Sequence, residues 1–338
     1  MKITTVGLDI AKSIFHSFSI NHTGRLIRKK QLKRKQLLAY FAKLEPSIIV
    51  MEACGGANYW AREFIKQGHQ VKLIAPQYVK PFVKGNKNDY NDAQAIAEAS
   101  QRASMRFVPI KSVEQQDLQN FHRQRERIKK ERTALANQIR GLLAEYGIVF
   151  KKGITAVKSD LPFILEDAEN DLTVLSRALF NELLEEFTRM CEQINNCDKK
   201  IKLANKNNDV CTRLVDILGI GDITASALYA AAGDGKNFVN GRHLSAWIGL
   251  VPGQHSTGGK PRLLGISKRG NSYLRTLLIH GARVVLRHSE KKSDRFSLWA
   301  QALLKRRGHN KACVAVANKL ARMAWVIMAK GERYRPVM

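Results

Sequence analysis

The stretch ITTVGLDIAKSIFHSFSI, residues 3–20, decides the fold. Its apolar run Ile3–Leu8 reads as a buried strand, and a carboxylate, Asp9, stands at the end of it. Ile14–Ile20 reads as a second strand. A turn at Asn21–Gly24 closes a hairpin, and Leu26–Gln31 returns as a third strand. Further out, Lys35–Leu44 is helical. Ser47–Met51 is a strand with Glu52 after it, Asn58–Gln67 is a helix, and Val71–Ala75 is a strand ended by Pro76. In GNKNDYNDAQAIAEA, Asp89 and Asp92 open a helical stretch. Spaced i,i+3, they share one helix face.

Three antiparallel strands followed by helix–strand–helix–strand–helix is the order of an RNase H-like, or RuvC-like, α/β fold. In that order a first carboxylate lies on the first strand, a second at the end of the fourth, and the last ones on a late helix. Asp9, Glu52, Asp89 and Asp92 fall on those elements. Convergent hard oxygen donors hold Mg²⁺ or Mn²⁺, and a pair of such ions activates phosphodiester chemistry. Taken singly, each residue reads equally well as a turn former or a helix N-cap.

The charge balance points to the same chemistry. Lys and Arg number 57 against 29 Asp and Glu, a net charge of +28 over 338 residues. Such an excess calls for a polyanionic partner, and nucleic acid fits best. A membrane surface fits poorly, because the sequence offers neither a basic amphipathic anchor nor an evident apolar run of about 18 residues. Residues 251–338 hold 19 Lys and Arg against 3 Asp and Glu, a net of +16. That concentration is the footprint of a polyphosphate contact rather than an even solubilising coat. The five cysteines, Cys54, Cys191, Cys197, Cys211 and Cys313, form no CxxC pair. They suit buried positions in a reducing cytoplasm.

Three regions follow from the pattern: an α/β domain over 1–110, a long helical region over 111–208, and a mainly α domain over 209–338. Val113–Tyr146 and Asp167–Lys206 read as two long helices, a coiled-coil-like pair joined by a GITAVKSDLPF loop. Their basic positions, among them Arg123, Arg127 and Lys130, read either as phosphate contacts or as a solvated face. Gly219 and Gly221 in LGIGDITASAL resemble the turn of a helix–hairpin–helix, whose amides meet a DNA phosphate, and equally a tight turn between packed helices. The Gly-rich segment GLVPGQHSTGGKPRLLGISKRGNSYLR, residues 249–275, sets Lys260, Arg262, Lys268 and Arg269 beside the hydroxyls of Ser256 and Thr257. A hydroxyl there is either a nucleophile or part of a Ser-Thr-Gly-Gly turn.

In combination, GLDIAK, MEACGG, KNDYNDAQAIAEA, LGIGDITASAL, LSAWIGLVPGQHSTGGK and LGISKRGN resemble the DEDD-type insertion-sequence transposases of the IS one-ten class, in particular their one-one-one-one branch. The resemblance spans nearly the whole chain. It implies a bacterial, cytoplasmic DNA recombinase with a RuvC-like domain and a C-terminal transposase domain. It further implies Mg²⁺ or Mn²⁺ on Asp9, Glu52, Asp89 and Asp92, and a serine in the Gly-rich segment that links transiently to DNA. Ser256 takes that role, with Thr257 as the alternate because it directly precedes the glycine. The family's partners are donor and target DNA and a non-coding guide RNA. Strand exchange needs several active sites held together, so the two long helices are expected to join copies of the chain as a dimer or a dimer of dimers. Two other readings remain open to the sequence: a metal-dependent, junction-resolvase-like nuclease without a covalent intermediate, and a non-enzymatic nucleic-acid-binding protein.

Overall fold

The structure is a computed structural model describing residues 3–85 and 88–335. The chain divides into two compact units, Met1–Val113 and Glu114–Met338.

The first unit is built on a six-stranded sheet of order β3-β2-β1-β4-β5-β6. Its strands are β1 (Thr5–Asp9), β2 (Ile14–Ile20), β3 (Leu26–Lys33), β4 (Ile48–Glu52), β5 (Gln70–Ile74) and β6 (Phe107–Val108). β1, β2 and β3 are antiparallel neighbours, whereas β1, β4 and β5 run parallel. Five strands match the sequence reading. The sixth is two residues long and pairs antiparallel with the end of β5, too short to leave a hydropathy period. The arrangement is consistent with an RNase H-like fold.

Helices cover both faces of the sheet. Val6, Leu8, Phe15, Ile49 and Met51 pack with Phe41 of α1 (Leu37–Phe41) and with Trp60 and Phe64 of α2 (Ala57–Lys66). Phe15, Phe41 and Phe64 are fully buried, each a stabilisation of about 1.5–3 kcal/mol relative to exposure. On the other face, Val50 and Ile74 meet Val79 of α3 (Pro76–Val79) and Ala95, Ile96 and Ala99 of α4 (Asp89–Ser100). Phe18 and Ile20 pack beneath Ala93 and Ala97 of α4.

The second unit is mostly helical. Long helices α5 (Val113–Ala144, whose first residue belongs to the first unit) and α7 (Val174–Lys206) run antiparallel. Arg125 pairs with Asp198, and Lys200 lies over the Phe121 ring. The expected GITAVKSDLPF loop is instead a helix, α6 (Ile154–Glu166), which tolerates Pro162 and buries Val157 and Leu161 against the long pair. Its apolar spacing outweighs the proline, which kinks but need not end a helix packed on neighbours.

Beyond the arm come α8 (Asp209–Val215), α9 (Asp222–Ala232), α10 (Gly241–Ile248), a hairpin of β7 (Pro252–Thr257) and β8 (Lys260–Ile266), then α11 (Ser272–Ser289), α12 (Arg295–Arg307) and α13 (His309–Lys330). By length and composition α13 is an apolar run that the sequence reading passed over. It is broken by Lys319 and Arg322, and half of its most apolar window is buried as a core helix. A buried polar network ties α5 to this core. His122 contacts Ser226 Oγ through Nε2 at 2.7 Å and the Tyr273 hydroxyl through Nδ1 at 3.0 Å. Burial, with Arg125 nearby, pushes the His122 imidazole down to about 4, so it is neutral at pH 7.

Candidate active site

The period of two along a strand assigns each carboxylate to a face. Val6 and Leu8 of β1, and Ile49 and Met51 of β4, point towards α1 and α2. Gly7 and Asp9, and Val50 and Glu52, therefore face α4. β1 and β4 are parallel central neighbours with Leu8 beside Met51, so Asp9 and Glu52 lie side by side at their C-terminal ends. α4 lies directly on β1. A Cβ on Gly7 would overlap the Ala93 carbonyl oxygen and stand 2.7 Å from the Ala97 amide nitrogen. Ala93, Ala95, Ala97 and Ala99 are fully buried, and these small side chains allow the close approach. Asn88 caps α4 by accepting from the Tyr90 amide at 2.9 Å, so neither Asp89 nor Asp92 has to serve as the cap.

One oxygen from each of Asp9, Asp89 and Asp92 lies within 4.8 Å of the others. Glu52 stands outside that group but is coupled to it electrostatically: its charge acts on Asp9, and the charge of Asp92 acts on it. Burial pushes the Asp9 carboxyl up to about 6, with Asp92, Asp89 and Glu52 adding to the rise and His16 opposing it. Burial and Asp92 likewise raise Glu52. Like charges gathered at a half-buried site destabilise one another unless a cation joins them. Hard oxygen donors from rigid elements are what Mg²⁺ or Mn²⁺ takes, so these residues fit a divalent cation.

His16 was not singled out by sequence. It is paired with Asp9 across β1 and β2 and so shares its face. Its Nδ1 lies 3.5 Å from Asp89 Oδ2, and its ring packs edge-on against Tyr90. The only sequence signal for it was its place on the alternating strand Ile14–Ile20.

The Gly-rich segment contains a two-stranded hairpin closed by Gly258 and Gly259. Both glycines have positive φ, 56° and 74°, as a two-residue turn requires. Ser256 pairs with Pro261, Thr257 with Lys260, His255 with Arg262 and Gln254 with Leu263. Directly paired residues share a face. Gln254, Ser256, Pro261 and Leu263 therefore lie on one face, and His255, Thr257, Lys260 and Arg262 on the other. The sequence reading set Lys260 and Arg262 beside both hydroxyls; the register puts them on the Thr257 face of the hairpin. Gln254 Nε2 donates to Ser256 Oγ at 2.7 Å. Residues 254–265 are exposed throughout. The root is held by Ser267 N donating to Val251 O at 2.8 Å and Arg275 Nη1 to Ile248 O at 2.9 Å. Lys268 and Arg269 sit at that root. The hairpin belongs to the second unit and the carboxylates to the first.

Of the basic positions on the arm, Arg127 is engaged by Glu131 at 2.6 Å, Lys129 by Glu126 at 3.1 Å, and Arg125 by Asp198 and Glu126. Arg123 and Lys130 remain exposed. Gly219 and Gly221 do lie between two helices, α8 and α9. Gly219 packs on Gly281 of α11, which a side chain at either position would prevent, whereas a Cβ on Gly221 would meet nothing within 4 Å.

With this geometry in place, comparison with known proteins is informative. Residues 6–148 match the DEDD transposase domain, and residues 211–297 match the domain described as Transposase IS116/IS110/IS902 family. The chain is 50% identical to the transposase for insertion sequence element IS1111A of Coxiella burnetii, over 98% of this chain and 92% of that protein. It is 46% identical to a probable family 20 transposase of Pseudomonas aeruginosa, over 99% of this chain and 100% of that protein. A more distant relative, 26% identical over 84% of each chain, is the pilin gene-inverting protein of Moraxella bovis. The first domain match covers Asp9, Glu52, Asp89 and Asp92, the second covers the hairpin, and the identity runs end to end: the chain belongs to the IS110/IS116/IS902 family of insertion-sequence transposases, enzymes of phosphoryl transfer on DNA.

Proposed function

We propose that this transposase is a site-specific recombinase that cuts and rejoins DNA through a covalent serine link, guided by a non-coding RNA of its own element. The observation that carries the reading is the convergence of Asp9, Asp89 and Asp92 beside Glu52. DEDD transposase domains bind divalent metal, and these four side chains would hold it here. A divalent cation bound there supplies charge that stabilises the transferring phosphate.

The chain's own residues supply the rest. Ser256 Oγ attacks phosphorus, and a P–O bond to the DNA strand breaks. The departing oxygen takes up a proton while the serine proton is lost to solvent. The phosphoserine conserves the bond energy, so a second strand's hydroxyl can reverse the step without ATP. Gln254, donating to Ser256 Oγ, steadies the negative charge as it develops. Thr257 is the alternate nucleophile, and a specific observation favours it: it shares its face with Lys260 and Arg262, cations suited to hold the phosphate. Lys268 and Arg269 at the hairpin root, Arg123, Lys130 and Arg127 on the arm, and the Gly219–Gly221 turn are the further proposed nucleic-acid contacts.

Strand exchange needs several active sites in one assembly. Apolar side chains stand exposed at the end of the helical arm, Val149, Phe163, Val174 and Leu175, each more than 70% accessible. They support pairing of copies through the arm, as a dimer or a dimer of dimers on DNA and guide RNA in the bacterial cytoplasm.

The test is incubation of protein, guide RNA and end-labelled DNA with Mg²⁺, resolved on a denaturing gel. A protein–DNA band that disappears in Ser256→Ala supports the serine, and one that disappears only in Thr257→Ala moves the role to threonine. Free cleaved ends with no band at any time point overturn the covalent mechanism in favour of a hydrolytic nuclease.

A further inference from the structure

A second basic site lies away from the hairpin, where α10 meets α13. A cleft of about 510 Å³ opens there between Asn240, Arg242, Lys319, Arg322 and Trp325. Close backbone packing forms it. A Cβ on Gly241 would stand 2.9 Å from the Arg322 Cα, so the first turn of α10 rests on α13 and brings Arg242 alongside Arg322. The Trp325 indole donates to the carbonyls of Gly235 and Phe238 at 3.1 and 3.0 Å, fixing the turn that leads into α10. Asn240 caps α10 by accepting from the His243 amide at 3.0 Å.

Arg242, Arg295, Lys319 and Arg322 form no ion pair among the described residues, whereas Arg125, Arg127, Lys129 and Arg213 all do. Lys319 is also held in place. Its Nζ lies 4.2 Å from the Trp299 ring centroid and 5.1 Å from that of Phe296, both on α12. Ring faces attract a partly desolvated ammonium and fix its position. Burial, with Arg322 and Arg295 close by, lowers its proton affinity. A cation set that repels itself, on a rigid frame, is prepared for a polyanion rather than for this chain's own carboxylates.

We infer that Arg242, Lys319 and Arg322, with Arg295 at the margin, form a binding site for the phosphodiester backbone of duplex DNA, separate from the β7–β8 hairpin. Guanidinium groups grip phosphate oxygens in pairs. DNA is the occupant because the chain belongs to a family that acts on DNA; to that extent the inference rests on the function proposed above. The site positions DNA and reads no bases.

The test is binding of labelled duplex DNA by full-length protein across a salt series, for wild type and for Arg242→Gln/Arg322→Gln, with a single-stranded RNA of equal length as a parallel arm. Both arginines are exposed, so the melting temperature should match wild type. If it does not, Arg295→Gln takes the test in their place. Each lost phosphate contact flattens the log–log salt slope by about 0.9 for duplex DNA, so the double variant should be shallower by about 2. A wild-type slope in the variant overturns the site, and a change confined to RNA overturns the assignment to DNA. Wild-type protein that binds no DNA at any salt overturns the proposed function itself, a result distinguishable from both.

Discussion

Gly7 of β1 and Ala93 of α4 are in backbone contact: no atom fits between the Gly7 Cα and the Ala93 carbonyl. This contact sets how far the first turn of α4, carrying Asp89 and Asp92, stands from Asp9 two residues beyond Gly7. An added methyl at Gly7 meets backbone, which cannot rotate away. Gly7→Ala is expected to destabilise by about 1–3 kcal/mol, the usual range for overpacking, and to abolish stabilisation by Mg²⁺. Urea melts with and without Mg²⁺ measure both. Wild-type stability together with a wild-type Mg²⁺ response would show that the contact does not set the site.

The carboxylates make the metal-free first unit sensitive to pH. Asp9 holds its proton up to about 6 in the fold, against an ordinary value of 3.8. Between those values the folded state binds more protons than the unfolded state. The stability that Asp9 contributes is therefore fully present below about 4 and is lost as pH rises to about 6. In EDTA, the contribution of Asp9 to the urea midpoint should fall over pH 4 to 7, and Asp9→Asn should remove that fall. An identical pH profile in the variant would count against the electrostatic account.

His122 gives the second unit the opposite sign. Its imidazole is depressed from 6.5 to about 4. Between those values the unfolded state binds more protons, so stability is full above about 6.5 and is lost as pH falls towards 4. His122→Leu should remove this acid sensitivity. It should also cost about 2–4 kcal/mol, because Ser226 and the Tyr273 hydroxyl both lose a partner. Thermal melts at pH 5 and pH 8 test it, and a variant that still loses stability over that interval as wild type does points to another group.

The hairpin register separates two kinds of substitution. If Ser256 attacks, Gln254→Leu should slow strand cleavage about tenfold to a hundredfold, the worth of one charge-assisted hydrogen bond. Lys260→Gln, on the opposite face, should act mainly on DNA affinity. Single-turnover cleavage at saturating DNA distinguishes the two. The reverse pattern would favour Thr257.

Much of the first unit was legible in sequence because its signals are local. Apolar runs as short as Ile3–Leu8 and Ser47–Met51 mark buried strands, and an acidic residue at the end of each marks an edge. What escaped depends on tertiary contact. Nothing in the Ile14–Ile20 run sets His16 apart until strand pairing puts it opposite Asp9. The α6 helix was taken for a loop because its apolar face has meaning only against α5 and α7. The two faces of the hairpin were invisible because glycine-rich, polar sequence carries no alternation to read. The family's motifs identified the chain, but the side on which Lys260 and Arg262 lie follows only from register.

Joint action of Asp9, Glu52, Asp89 and Asp92 on DNA through a divalent cation underlies the proposed function. Its most direct test is Mg²⁺-dependent cleavage of end-labelled DNA by Asp9→Asn, Glu52→Gln and Asp92→Asn, with DNA and RNA binding measured on the same preparations. Cleavage should fall by about a thousandfold or more, in line with losing a transition-state electrostatic contact, while both nucleic acids bind with nearly wild-type affinity. Wild-type cleavage in any of the three would contradict it.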